Sequence, residues 1–158
     1  MAPVSAHPFL FFLVGALATA QTGLTAYQIY QANHGGQEFP SEEWKNREIF
    51  MLFTAAWTLL FALLHYVINL YIGAFWSLIT LIFWVIATVL WARVEDFHPS
   101  DCSGTSFGSF CRQVVAIEAI GWTEVALTAL LFFATLFACH QHRRNSTYRD
   151  AGYRGYYV

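Results

Sequence analysis

Two carboxylates interrupt a long apolar run. Glu118 and Glu124 lie in QVVAIEAIGWTEVALTALLFFATLFAC, residues 113–139, which carries no other charge. An ionised side chain is costly in hydrocarbon, so each acid must either be neutralised by its neighbours or belong to a mechanism. The chemistry available to such a pair is proton or cation coupling, as in small four-span exporters that use one embedded Glu. The alternative is hydrogen bonding that holds helices or a partner subunit together. No Lys or Arg stands at the depth of either acid, so Glu124, near the midplane, is expected as the neutral acid, donating to a facing Thr or backbone carbonyl.

Four further groups of residues bear on chemistry. Cys102 and Cys111 are separated by eight residues, of which Ser103, Gly104, Ser106 and Gly108 make a pliant connector. A disulfide is the expected state in an oxidising exterior, and closing so small a ring would stabilise the loop by roughly 2–3 kcal/mol. Two free thiols would instead mean a reducing compartment. The spacing is neither CxxC nor a usual zinc pattern, which argues against dithiol redox catalysis. Cys139 precedes a basic segment and fits either reversible acylation or a small apolar packing role. His140 and His142 form a lone HxH, a weak metal signal, and Asn145-Ser146-Thr147 is a glycosylation sequon that stays silent if the tail is cytoplasmic.

The elements that must position these residues follow from the apolar blocks. Of 158 residues 57% are hydrophobic and 11% charged. A membrane span needs about 20 mainly apolar residues, and four such blocks fill the chain. They run over about 8–30, 48–71, 73–94 and 113–139, with polar connections at 31–47 and 95–112 and a tail at 140–158. The fold class is therefore all-α, an integral-membrane four-helix bundle with no separate soluble domain. The start of the first block, FLFFLVGALATA, has the look of a signal peptide, but no Lys or Arg precedes it, and it is expected to be retained as the first span. The net charge of −2 and the scattered basic residues argue against nucleic acid as a partner.

Four of the eight basic residues, Arg143, Arg144, Arg149 and Arg154, lie in the tail. By the positive-inside rule the tail is expected to be cytoplasmic, which places the N-terminus there too and both polar connections outside. In the first connection Ser41, Glu42, Glu43 and Trp44 have the makings of a short interfacial helix with Trp44 at the headgroups. Tyr71, Ile72, Gly73 and Ala74 read as the tight turn of an antiparallel hairpin. Tyr66, Tyr71, Trp76 and Trp91 read as interfacial aromatics, whereas Trp57 and Trp84 lie deeper and are expected to pack. The Arg- and Tyr-rich end of the tail reads as disordered, open to interactions or phosphorylation.

Each span carries one small or polar face. On the fourth, Glu118, Gly121, Glu124, Thr128, Thr135 and Cys139 share an arc of about 120°. The second has Thr54, Thr58, His65 and Asn69, and the third Ser77, Thr80, Thr88 and two tryptophans. Gly15, Thr19 and Gly23 repeat every four residues on the first, beside Gln21 and Thr22. Such faces let helices approach closely where no hydrophobic force drives them together. Counting inward from the expected boundaries puts Glu118 level with Thr54 and Gln21, and Glu124 level with Thr58. His65, near the inner end, reads as a packing residue. The spans contain no internal Pro, unlike the broken helices of many transport paths, so helix–helix contact through Glu118, Glu124, Thr128, Thr54, Thr58 and His65 is the favoured reading.

The junction CRQVVAIEA, with Cys111, Arg112, Gln113, Ala116 and Ala119, together with the upstream Cys102 and the four-span plan, resembles fungal MARVEL-domain proteins of the non-classical-export and eisosome-associated type. The architectural likeness covers the whole chain, but it is specific over about a dozen residues. It departs in the third span, which lacks the acidic residue often seen in the family. The resemblance implies a non-enzymatic role at the plasma membrane or a secretory-pathway membrane: organising microdomains, holding particular lipids or a sterol, or serving as accessory subunit to another integral membrane protein. It implies no cofactor. The alternative is a small proton- or cation-coupled transporter using Glu124 and Glu118. No nucleophile–base set, phosphate loop or metal cluster can be assembled on one side of the membrane.

Overall fold

The computed structural model describes residues 6–34, 41–64, 70–93 and 109–154. They form four helices: α1 (Ala6–His34), α2 (Glu42–Leu64), α3 (Leu70–Ala92) and α4 (Phe110–Arg154). Each is long and apolar enough to cross a membrane. Each helix packs on its neighbours in sequence, and α4 closes the ring against α1.

Side-chain contacts fix the directions. Phe11 near the start of α1 meets Phe61 near the end of α2. Gln28 near the end of α1 meets Gln113 at the start of α4, and Trp44 at the start of α2 meets Trp91 at the end of α3. All four neighbouring pairs are antiparallel, giving an up-down-up-down bundle.

The buried positions explain why these sequences pack. On α1 they are Phe11, Val14, Ala18, Gln21, Thr25 and Gln28; on α4 they are Val114, Ile117, Gly121, Glu124, Thr128, Leu131 and Thr135. Spacings of three and four alternate, the period of about 3.5 that keeps a seam facing its partner in a left-handed bundle. Large apolar side chains point the other way: Phe12, Phe75, Leu130, Phe133 and Phe137 are exposed. A polar interior under an apolar exterior is the arrangement that hydrocarbon selects.

The interfaces differ in how they close. Between α2 and α3 aromatic rings interleave: Phe50, Phe53 and Trp57 lie against Phe83, and Trp76 stacks on Trp57 and Phe61. Between α3 and α4 small residues bring the backbones together. A Cβ on Gly121 would stand 3.1 Å from Thr88 Oγ1, and Ser77 Oγ lies 3.5 Å from Thr135 Oγ1.

Several expected boundaries move. The segment 42–47 is not a separate interfacial helix but the first turns of α2, opened by Ser41, whose Oγ accepts the Trp44 N–H at 3.2 Å. Trp44 is not at the headgroups; it is buried with Trp91 and close to Phe110. Trp91 likewise leaves the interfacial belt for the core, 1% exposed. Residues Tyr71–Ala74, read as a turn, are helical because α3 already begins at Leu70. The fourth helix does not stop at Cys139 but continues through the tail to Arg154. Its 45 residues span about 68 Å, roughly twice the hydrocarbon thickness.

Candidate functional site

Position 124 falls on the seam of α4, and the seam turns Glu124 into the middle of the bundle, where it is completely buried. Two levels frame it. About one turn toward the Trp44 end, Gly121 lies against Thr88 of α3 and within reach of Met51 of α2. About two turns toward the other end, Leu131 packs with Phe11 and Phe61. Neither carboxyl oxygen of Glu124 has a hydrogen-bond partner among the described residues, so the expected bond to a facing Thr or carbonyl is not formed there.

The reason is visible in the threonines. Thr54 Oγ1 donates to the Phe50 carbonyl at 2.9 Å, Thr58 Oγ1 to the Thr54 carbonyl at 2.8 Å, Thr88 Oγ1 to the Trp84 carbonyl at 2.7 Å, and Thr128 Oγ1 to the Glu124 carbonyl at 2.6 Å. Each hydroxyl spends its proton on its own helix one turn back, the usual refuge of Thr in a helix interior. What remains is the oxygen as an acceptor, and indoles use it. Trp84 Nε1 donates to Thr58 Oγ1 at 2.9 Å, and Trp57 Nε1 to Thr80 Oγ1 at 3.2 Å. These Trp–Thr bonds cross from one helix to the next.

Three glutamines extend the polar interior toward the Trp44 end. Gln21 Nε2 donates to the Ile117 carbonyl at 3.4 Å and Gln28 Nε2 to Gln113 Oε1 at 3.4 Å. The Oε1 atoms of Gln21 and Gln28 are buried without a partner, as are the indole N–H groups of Trp44 and Trp91. At the same end Arg47 Nη1 donates to the Leu90 carbonyl at 2.8 Å, satisfying a terminal carbonyl of α3, and pairs with Glu43 at 3.4 Å.

Thr54, Thr58, Glu124 and Thr128 are therefore brought into one interior, with their side chains turned into the bundle. Glu118 stands apart, half-buried at the edge of the α4 seam. Gly121 makes the closest helix approach, and Gly15 makes the next, its Cβ position 3.3 Å from Ala62 Cβ. Gly23 does not pack: a Cβ there would meet nothing within 4 Å. Thr19 is exposed and donates to the Gly15 carbonyl at 2.7 Å, so it serves its own helix rather than a neighbour. A repeat of four gains about 40° per step on a helix, so a line through Gly15, Thr19 and Gly23 leaves a seam that alternates three and four.

Sequence reasoning overlooked Glu48, which is completely buried in α2. The signal was present: Trp44, Glu48, Met51, Ala55 and Thr58 step by four, three, four and three along the buried face. His65 and Cys102 lie outside the described residues, so neither the His65 packing role nor the Cys102–Cys111 pairing is tested by geometry. Cys139 is half-buried, and His140 and His142 are exposed. Among the described residues no three His, Cys, Asp or Glu side chains gather as a metal site.

Fold and interior together define a multi-pass α-helical membrane protein built on four apolar helices around a buried polar seam. No family model, curated protein or solved structure matches the chain.

Proposed function

We propose that the chain is a non-enzymatic membrane organiser or accessory subunit of MARVEL type, with both termini cytoplasmic and a Cys102–Cys111 disulfide closing the second outer connection. Its site is the plasma membrane or a secretory-pathway membrane, and its partners are lipids and another integral membrane protein or a second copy. The observation that carries this reading is the division of labour between faces. Thr54, Thr58, Thr88 and Thr128 bond within their own helices, and Trp84 and Trp57 brace α2 against α3 by donating to Thr58 and Thr80, so these hydroxyls call for no partner outside the bundle. Its outward surface offers Phe12, Phe75, Trp122, Phe133 and Phe137 to whatever lies beside it in the bilayer. Outward aromatic and aliphatic side chains suit acyl chains, a sterol or a neighbouring span.

Purification in mild detergent tests this: a stoichiometric membrane partner, a self-assembly or retained lipid is expected. The competing reading, a proton- or cation-coupled transporter, rests on Glu124. Replacing Glu118 and Glu124 together by Gln should change assembly or stability, with no flux to lose. Reconstituted vesicles that carry a proton or cation current, abolished in the double variant, would overturn the scaffold reading.

A further inference from the structure

The seam of α1 changes chemistry halfway along. Toward one end its buried side chains are Phe11, Val14 and Ala18, and toward the other Gln21, Thr25 and Gln28. Because Gln21 stands opposite Ile117 and Phe11 packs with Leu131, Glu124 falls at the level of Val14 and Ala18, where the polar half gives way to the apolar half.

A donor inventory at that level identifies the ligand Glu124 takes. Thr54, Thr58, Thr88 and Thr128 have all given their hydroxyl protons to carbonyls. The Trp84 indole is committed to Thr58, and the Gln21 amide to Ile117. Among the described residues the nearest helices thus offer acceptor oxygens while their hydroxyl and indole protons are already committed, which is the wrong company for a carboxylate and the right company for a carboxylic acid. A metal cation would need about six oxygen ligands. The helices at this level are unbroken, so their carbonyls are held by the helical ladder, and among the described residues Glu124 belongs to no cluster of three or more His, Cys, Asp or Glu side chains. No charged side chain on the other helices shares its depth: α1 has none from Phe9 to Ala26, α2 none from Ile49 to Leu64 and α3 none from Tyr71 to Ala92. Glu48 and Glu118 both lie toward the Trp44 end, with Arg47 and Arg112 beyond them.

We infer that Glu124 is a proton-binding site at the centre of the bundle, and that it exchanges its proton through the seam formed by Gln21, Thr25 and Gln28. A second observation points the same way. Gln21 Oε1 and Gln28 Oε1 are buried acceptors without partners, set about two turns apart along one face. Water threaded between such groups is how buried polar atoms are ordinarily satisfied, and it carries protons. The opposite end is closed by Phe11, Phe61 and Leu131 with Leu10 and Trp76. A proton held here requires no flux across the membrane, so the site is independent of the scaffold reading.

Infrared spectroscopy of the full chain in lipid nanodiscs tests the inference. The wild type at neutral pH should show a protonated-carboxyl C=O band whose position shifts in D2O. Glu124→Gln should lose that component, and Glu118→Gln should keep it. Gln21→Leu should slow the D2O shift, while Phe11→Leu leaves its rate unchanged. A wild type with no such band, or a band retained in full by Glu124→Gln, overturns the proton site without recourse to any variant's folding at Gln21. A shift rate unaffected by Gln21→Leu but changed by Phe11→Leu overturns the route.

Discussion

At one end of the bundle Phe11, Phe61 and Leu131 meet with Leu10 and Trp76 around them, and α1 lies close enough to α2 that Gly15 faces Ala62. At the other end Trp44, Trp91 and Phe110 close α2, α3 and α4, while α1 contributes Gln21, Thr25 and Gln28. The first end is held mainly by apolar contact, although the indole N–H of Trp76 there is also buried without a partner among the described residues. The second keeps more buried polar atoms that find no partner among the described residues: the amide oxygens of Gln21 and Gln28 and the indole N–H groups of Trp44 and Trp91. In hydrocarbon each such atom carries a penalty of about 1–3 kcal/mol. Apolar residues would serve packing better there, and the unfilled groups are more numerous at the Gln end.

Unfolding measurements in mixed micelles can break the contrast. Phe61→Ala removes the ring at the centre of the dry end and should cost about 3–5 kcal/mol, the range for emptying a buried aromatic site. Gln28→Leu at the other end should cost less than about 1 kcal/mol, because the loss of its long 3.4 Å bond to Gln113 Oε1 is offset by removal of an unfilled acceptor; a loss comparable to that of Phe61→Ala would erase the distinction. Gly121→Val, midway, forces a branched side chain into the 3.1 Å approach of Thr88 and should cost about 1–3 kcal/mol by overpacking. Gly121→Ala, which asks for less room, should cost less.

The four-helix plan was legible because block length alone decides it, whereas the helix ends were not. Hydropathy stops at the first charge, but Glu43, Arg47 and Glu48 are accommodated within helical turns: Arg47 satisfies a carbonyl of α3, and Glu48 lies on the buried face. That error propagated to depth. Because α2 begins earlier than its apolar block, Met51 stands beside Gly121, and Thr54, one turn on, takes the level that boundary counting assigned to Thr58. Glu124 was legible from its cost in hydrocarbon. Its lack of a partner was not, because a Thr at a facing position looks like a donor until its hydroxyl is seen bonded to its own backbone.

Thr58 sharpens this last point. Thr58→Val keeps the shape and removes the oxygen that receives Trp84 Nε1, leaving a buried indole N–H unsatisfied. A loss of about 1–2 kcal/mol is expected, with a change in Trp84 fluorescence. Thr54→Val, whose hydroxyl oxygen accepts from no other helix among the described residues, should cost less. Equal costs would mean that the cross-brace contributes nothing beyond packing.

The smallest effect separates the two ends along α1 itself. Gly15 and Gly23 lie two turns apart in the same helix, so intrinsic propensity favours Ala over Gly at both by about 0.5–1 kcal/mol. At Gly23 nothing opposes that gain, since the added methyl meets no atom within 4 Å, and Gly23→Ala should stabilise by the full amount. At Gly15 the methyl would stand 3.3 Å from Ala62 Cβ, an atom fixed to the α2 backbone that can yield only if the helices part. Gly15→Ala should therefore be neutral or destabilising. Equal stabilisation at both positions would show that α1 is no more tightly held at the Phe61 end than at the Gln end, and the contrast between dry and polar halves would lose its packing basis.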